Sequence, residues 1–191
     1  ALNSLSQTLL KLTAPGVPDI YQGTEFYDLS LVDPDNRRKI DFSAREAAVS
    51  DGRTVAEALP DWRDGVVKAK LTAAALKARI KAPTLFTSGR YVPLDVTGEK
   101  AEHVVAFART DDEGRIAVTV VPRLSLGLLG EGAKVPLPST ESWGDTAIRL
   151  PSHLASARFE DILRGEQVAG NASLKLRDLL ASLPVALLVA D

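Results

Sequence analysis

Between Leu2 and Leu12 the apolar positions Leu2, Leu5, Leu9 and Leu12 fall three or four residues apart, the period that gathers side chains on one face of a helix. Thr13-Ala14-Pro15-Gly16 ends that helix, because proline cannot continue the hydrogen-bond ladder and glycine relieves the turn. The short apolar run from Val17 to Tyr21, with Pro18 and Gly23 as punctuation, predicts a buried strand leading into a loop. Phe26 to Ile40 is polar and contains the turn signal Asp33-Pro34-Asp35-Asn36, so it reads as a long loop of the kind that carries function. Ser43 is expected to cap a short helix through Val49, with Glu46 completing a capping box. A longer helix is predicted from about Arg63 to Ile80, with Val67, Leu71, Leu76 and Ile80 as its apolar positions and alanines between them for close packing on a sheet. Ala82-Pro83 closes it.

Beyond Thr84 the period changes to two. Val105 and Phe107 alternate with Val104, Ala106 and Ala108, and Ile116, Val118 and Val120 alternate with Ala117 and Thr119, with Asp111-Asp112-Glu113-Gly114 between the runs as a hairpin turn. Further short strands are predicted around Tyr91 to Val96, Thr146 to Leu150, Arg158 to Leu163 and Val185 to Ala190. This change near residue 83 places the chain in the α+β class and divides it into two expected units, 1–83 and 84–191, the second an antiparallel β-sandwich.

Composition narrows the partners. With 191 residues, 45% hydrophobic and 25% charged, the chain can bury an ordinary globular core. Its 23 basic and 25 acidic residues are interspersed, which removes the basic field a nucleic-acid partner requires. There is no apolar run of about 18 residues and no charged-then-apolar leader, so a membrane partner is not expected and a cytoplasmic location is. Cysteine is absent, which excludes disulfides and thiolate chemistry in this chain. His103 and His153 stand fifty residues apart, so no metal site and no cofactor is expected. The chain opens Ala1-Leu2-Asn3 and contains no methionine, as a piece of a longer polypeptide would.

The segment Ala14-Pro15-Gly16-Val17-Pro18-Asp19-Ile20-Tyr21-Gln22-Gly23-Thr24-Glu25 resembles the stretch at the eighth barrel strand of α-amylase-family glycoside hydrolases: Gly-x-Pro, a short apolar run, then Gly-x-Glu. The following Leu29-Ser30-Leu31-Val32-Asp33-Pro34-Asp35-Asn36-Arg37-Arg38, with Asp41 close behind, is similar to a run in the maltooligosyltrehalose synthase family. Gly89 to Leu94, His103 to Arg109, Val120-Val121-Pro122-Arg123 and Leu183 to Leu188 resemble that family's C-terminal part in the same order. Lys39 departs from the pattern, where proline is expected after the double arginine. The resemblance implies the last βα units of a (β/α)8 barrel followed by the sandwich. A whole barrel needs roughly 250 residues, so 1–83 can hold only its end.

For function, the resemblance implies the C-terminal part of an intramolecular transglycosylase, which turns the terminal α-1,4 link of a maltooligosaccharide into an α,α-1,1 link. One carboxylate attacks the anomeric carbon, a second acts as acid and then base, and the freed glucose must be retained against water. The family's three catalytic carboxylates lie on barrel strands four, five and seven, and none maps to this chain, so the isolated chain is expected to be inactive. Asp33 and Arg37 match positions that hold a glucose on the non-reducing side of the cleaved bond. A carboxylate accepting from vicinal hydroxyls and a guanidinium fork suit that task, while an internal Asp33–Arg37 or Asp35–Arg38 pair pinning the loop is equally compatible with the sequence. Asn36 and Arg38 are weaker candidates for the same contact, and Asp41 is better suited to capping the next helix. Tyr21, Gln22, Glu25, Phe26 and Tyr27 could line the mouth of the pocket, core packing being preferred for Tyr21 and Phe26 and a structural role for Glu25.

Two further readings compete. The chain could be a non-catalytic carbohydrate-binding β-domain with Trp143 or Trp62 as a sugar platform, although either ring is more often half-buried core, or the C-terminal part of another α-amylase-family hydrolase or branching enzyme. Gly127 to Gly132 lacks the setting of a phosphate loop, and Asn171-Ala172-Ser173 matters as a glycosylation acceptor only outside the cytoplasm. As a separate polypeptide the chain is expected to dimerise through barrel edges that lack their neighbours.

Overall fold

The computed structural model describes residues 1–29 and 39–190. The chain runs α1 (Leu2–Thr13), α2 (Phe42–Ser50), α3 (Val55–Ala58), α4 (Val66–Lys81) and α5 (Pro83–Thr87). It continues with β1 (Arg90–Pro93), β2 (Val96–Thr97), β3 (Val104–Thr110), β4 (Ile116–Pro122) and β5 (Ala147–Arg149). The last elements are α6 (Ser152–Ala155), β6 (Arg158–Asp161), β7 (Glu166–Ala169), β8 (Ser173–Lys175), α7 (Leu176–Leu179) and β9 (Ala186–Ala190).

Six strands form one sheet in the order β1-β3-β4-β9-β6-β7, and β2-β5-β8 form a second, every paired neighbour antiparallel. The centre of the large sheet is covered on both faces. Ala117 and Val121 of β4 and Leu187 of β9 meet Leu5, Leu9 and Leu12 of α1 and Val67, Leu71 and Ala75 of α4. Val118, Val120, Ala186 and Leu188 point the other way, into a second core closed by Ile148, Leu174 and Trp143. Strands buried on both faces lose the polar half of their alternation, which is why β4 and β9 read as near-continuous apolar runs.

Several expectations change. The run Val17 to Tyr21 forms no strand, and Val17 is 97% exposed. Among the described residues no strand precedes β1, so this run has no neighbour to complete its backbone hydrogen bonds. Helix α2 is capped by Asp41 rather than Ser43: the Asp41 carboxylate accepts from the Ala44 amide at 2.9 Å. A capping box does exist further on, at Thr54 and Glu57, where both reciprocal bonds form at the start of α3. Helix α4 starts at Val66, because Gly65 takes a left-handed conformation (φ 83°), and Ile80 points to solvent while Ala69, Thr72 and Ala78 share the buried face. Strands β7 and β8 were not expected. They are too short and too polar to show a period.

Candidate functional site

The residues from Ala14 to Leu29 leave α1 and cross the N-terminal ends of α2 and α4. Between the Ala14 and Thr24 amides, no backbone–backbone hydrogen bond ties this run among the described residues. At Tyr21 the chain turns: the Thr24 amide and hydroxyl both donate to the Tyr21 carbonyl, at 3.0 and 2.6 Å. Gly23 makes this possible with φ 91°, since a Cβ there would lie 3.0 Å from Ile40.

Arg45 of α2 organises the turn. Its Nε donates to Glu25 at 3.0 Å, Nη2 to the Gly23 carbonyl at 2.6 Å and Nη1 to the Asp41 carbonyl at 2.9 Å. The guanidinium also lies 4.6 Å from the centre of the Phe26 ring. Beyond it, the Lys68 ammonium donates to the Phe26 carbonyl at 3.0 Å and stands 5.9 Å from the centre of the Tyr27 ring. Burial holds that ammonium below its ordinary range. Tyr27 meets Trp62 edge to face with centroids 6.3 Å apart, and burial, reinforced by Asp64, pushes its phenol up to about 12. Gly65 lets Phe26 sit against the start of α4, where a Cβ would lie 2.9 Å from the Phe26 side chain.

Of the expected sugar contacts, Glu25 and Tyr21 are brought to one turn, and they differ in availability. One Glu25 oxygen is engaged by Arg45, which fits the structural role expected for it. Tyr21 is 49% exposed rather than packed in the core, so its ring is open to a ligand. Phe26 and Tyr27 are half-buried, and Gln22 is exposed. Asp33, Asp35, Asn36, Arg37 and Arg38 lie outside the described residues. Arg45 and Lys68 are not legible in the sequence because nothing local marks a cation twenty-two or forty-two residues from the backbone it holds.

Trp143 takes the core position preferred for it over a sugar platform: it is fully buried in the core between the sheets. Trp62 is half-buried, stacked under Arg63 at 4.3 Å, with its indole N–H donating to the Lys134 carbonyl at 3.0 Å. The exposed aromatic pair that a carbohydrate-binding β-domain would present is therefore not formed by these two rings. A separate cleft of about 420 Å³ between α4, α5 and the sheet has an apolar floor including Leu85, Phe86 and Val189 and lysines Lys77 and Lys81 at its edge. Among the described residues no cluster of His, Asp or Glu could hold a metal ion, and no helix is long and apolar enough to cross a membrane.

The chain is of the α+β class, a six-stranded antiparallel sheet backed by α1 and α4. It superimposes over 100% of its length on 22% of the solved maltooligosyltrehalose synthase from Arthrobacter ramosus, with a TM-score of 0.77 and 37% identity. A point variant of that structure matches at 36% identity with the same TM-score. Proteins named as maltooligosyl trehalose synthase in two Mycobacterium tuberculosis strains are each 38% identical over 189 residues, 99% of this chain. The chain belongs to the maltooligosyltrehalose synthase family and spans about a fifth of the length of these relatives. No protein-family profile matches it.

Proposed function

We propose that this chain is the C-terminal part of a maltooligosyltrehalose synthase, a (1→4)-α-D-glucan 1-α-D-glucosylmutase acting in trehalose biosynthesis. The observation that carries this reading is the end-to-end likeness, at 36–38% identity, to proteins bearing that name. In the parent, the terminal α-1,4 bond is broken and the freed glucose is joined through its own 1-hydroxyl, giving an α,α-1,1 link without net consumption of water. The attacking and proton-transferring carboxylates come from the other four-fifths of the polypeptide, which leaves this chain inactive by itself.

In this reading residues 1–83 finish the catalytic barrel and 84–191 form the C-terminal β-domain. The unpaired run Val17 to Tyr21 becomes a barrel strand when the missing neighbours supply its hydrogen bonds. The loop beyond it serves as a wall of the sugar site. Asp33, Asn36, Arg37 and Arg38 contact the maltooligosaccharide, Tyr21 offers a ring face, and Glu25 acts with Arg45 to hold the turn. The enzyme is proposed to be cytoplasmic.

The test incubates maltopentaose with this chain and, separately, with the full-length parent, following loss of reducing ends and release of glucose. The parent should remove reducing ends with little glucose, the chain should do nothing, and Arg37→Ala in the parent should raise KM about tenfold or more, as loss of a charged hydrogen bond to substrate does. A parent that releases glucose without removing reducing ends would replace this reading with that of a hydrolase.

A further inference from the structure

Arg109 lies in the middle of the molecule, on β3, and is 1% exposed. Burying a guanidinium is costly unless its charge is answered, and among the described residues no ion pair with a carboxylate answers this one. Its partners are carbonyls. Nη1 donates to Thr13 at 3.1 Å and Nη2 to Gly89 at 2.8 Å, while Nε has no partner. A second guanidinium acts at the same place: Arg79 of α4 donates through Nη1 to the Leu12 carbonyl at 2.8 Å.

Leu12 and Thr13 are the last two residues of α1. Their carbonyls have no intrahelical donor and stand at the negative end of the helix dipole, so two cations from separate elements both find electrostatic compensation there. Gly89, whose carbonyl Arg109 also holds, is itself confined: a Cβ there would collide with the Leu85 carbonyl oxygen and lie 3.0 Å from that of Thr110. Burial, reinforced by repulsion from the Arg79 guanidinium, keeps Arg109 below its ordinary range.

Just beyond Thr13, after the Ala14 amide bonds back to Leu10, begins the run whose amides make no backbone hydrogen bond until that of Thr24. That run is therefore held at its start by Arg79 and Arg109 and at its far end by Arg45 on the Gly23 carbonyl, with Ile20 packed against the core between them. Tyr21 stands just before the second anchor. We infer that Arg109 and Arg79 are positioning residues for the sugar site: by gripping the C-terminus of α1 they fix the origin of the loop that carries Tyr21 and Glu25, and so govern how well the freed glucose is retained during the transfer. The inference rests on the proposed function. Neither arginine touches sugar. They act through the backbone of residues 14–25.

The experiment uses the full-length parent with Arg109→Lys, which keeps the charge and loses the fork, and Arg79→Gln, at a partly exposed position that tolerates polar replacement. Three quantities are read: KM for maltopentaose, the ratio of glucose released to reducing ends lost, and hydrogen exchange of the peptide covering 14–25. The ratio and KM should each rise about tenfold, because small misplacement of a positioning element is expensive, and faster exchange should be confined to that peptide. The ratio does not depend on how much enzyme is folded. A purely structural role would lower the yield or the melting temperature while ratio, KM and local exchange stayed at wild-type values in both variants, and that result would overturn the inference. A wild-type parent that removes no reducing ends overturns the proposed function instead, and the exchange measurement still decides whether the two arginines anchor the loop.

Discussion

The Tyr27 hydroxyl is enclosed without a hydrogen-bond partner among the described residues, beside Trp62 and close to the charge of Asp64. Ionising it would place an anion in a desolvated site next to another anion, so its phenol titrates at about 12. Spectrophotometric titration should show one of the three tyrosines ionising near that value, and Tyr27→Phe should abolish that step. Because the hydroxyl is unpaired, the same substitution should leave stability unchanged or raise it by up to about 1 kcal/mol. At this scale the sequence was a partial guide. It assigns Asp41 a capping role, which the structure shares, and it favours core packing both for Trp143, which is buried, and for Tyr21, which is 49% exposed, since side-chain chemistry does not report which face of an element is covered.

Between elements, the end of α2 is tied to α4 by Asp51, whose carboxylate meets the Lys70 ammonium and accepts from Arg53 at 2.8 Å. The Lys70 ammonium, assisted by Arg53, holds that carboxylate down at about 2, against an ordinary 3.8. A carboxylate depressed in the folded state stabilises the fold above its unfolded value and loses that contribution as pH falls through its folded one. The advantage of the native chain over Asp51→Asn in thermal unfolding should therefore be full above pH 4 and shrink from pH 4 towards pH 2. A constant gap across that range would exclude the linkage. Elements with a sustained period were legible: α1, α4, β3, β4 and β9 lie close to where the pattern places them. β7 and β8 were not, because pairing rather than periodicity makes them strands.

For the whole molecule, Val17 and Leu29 are exposed apolar side chains on or just after the segment that has no strand neighbours, and the exposed Phe42 begins α2. We propose that the isolated chain associates through this surface. Sedimentation velocity should show a concentration-dependent dimer that Val17→Asp weakens, and a single monomeric species at every concentration would dismiss the proposal. The sequence by itself determined the family likeness, the turn from helical to alternating pattern near residue 83 and the helices that back the sheet, because these depend on local period and local motif. Only the tertiary structure decided that the centre of one sheet is buried on both faces, that Arg45 holds Glu25, and that Arg79 and Arg109 meet at the end of α1. Each of those joins groups many residues apart whose attraction depends on burial and carbonyl orientation, quantities that exist only once the chain has folded.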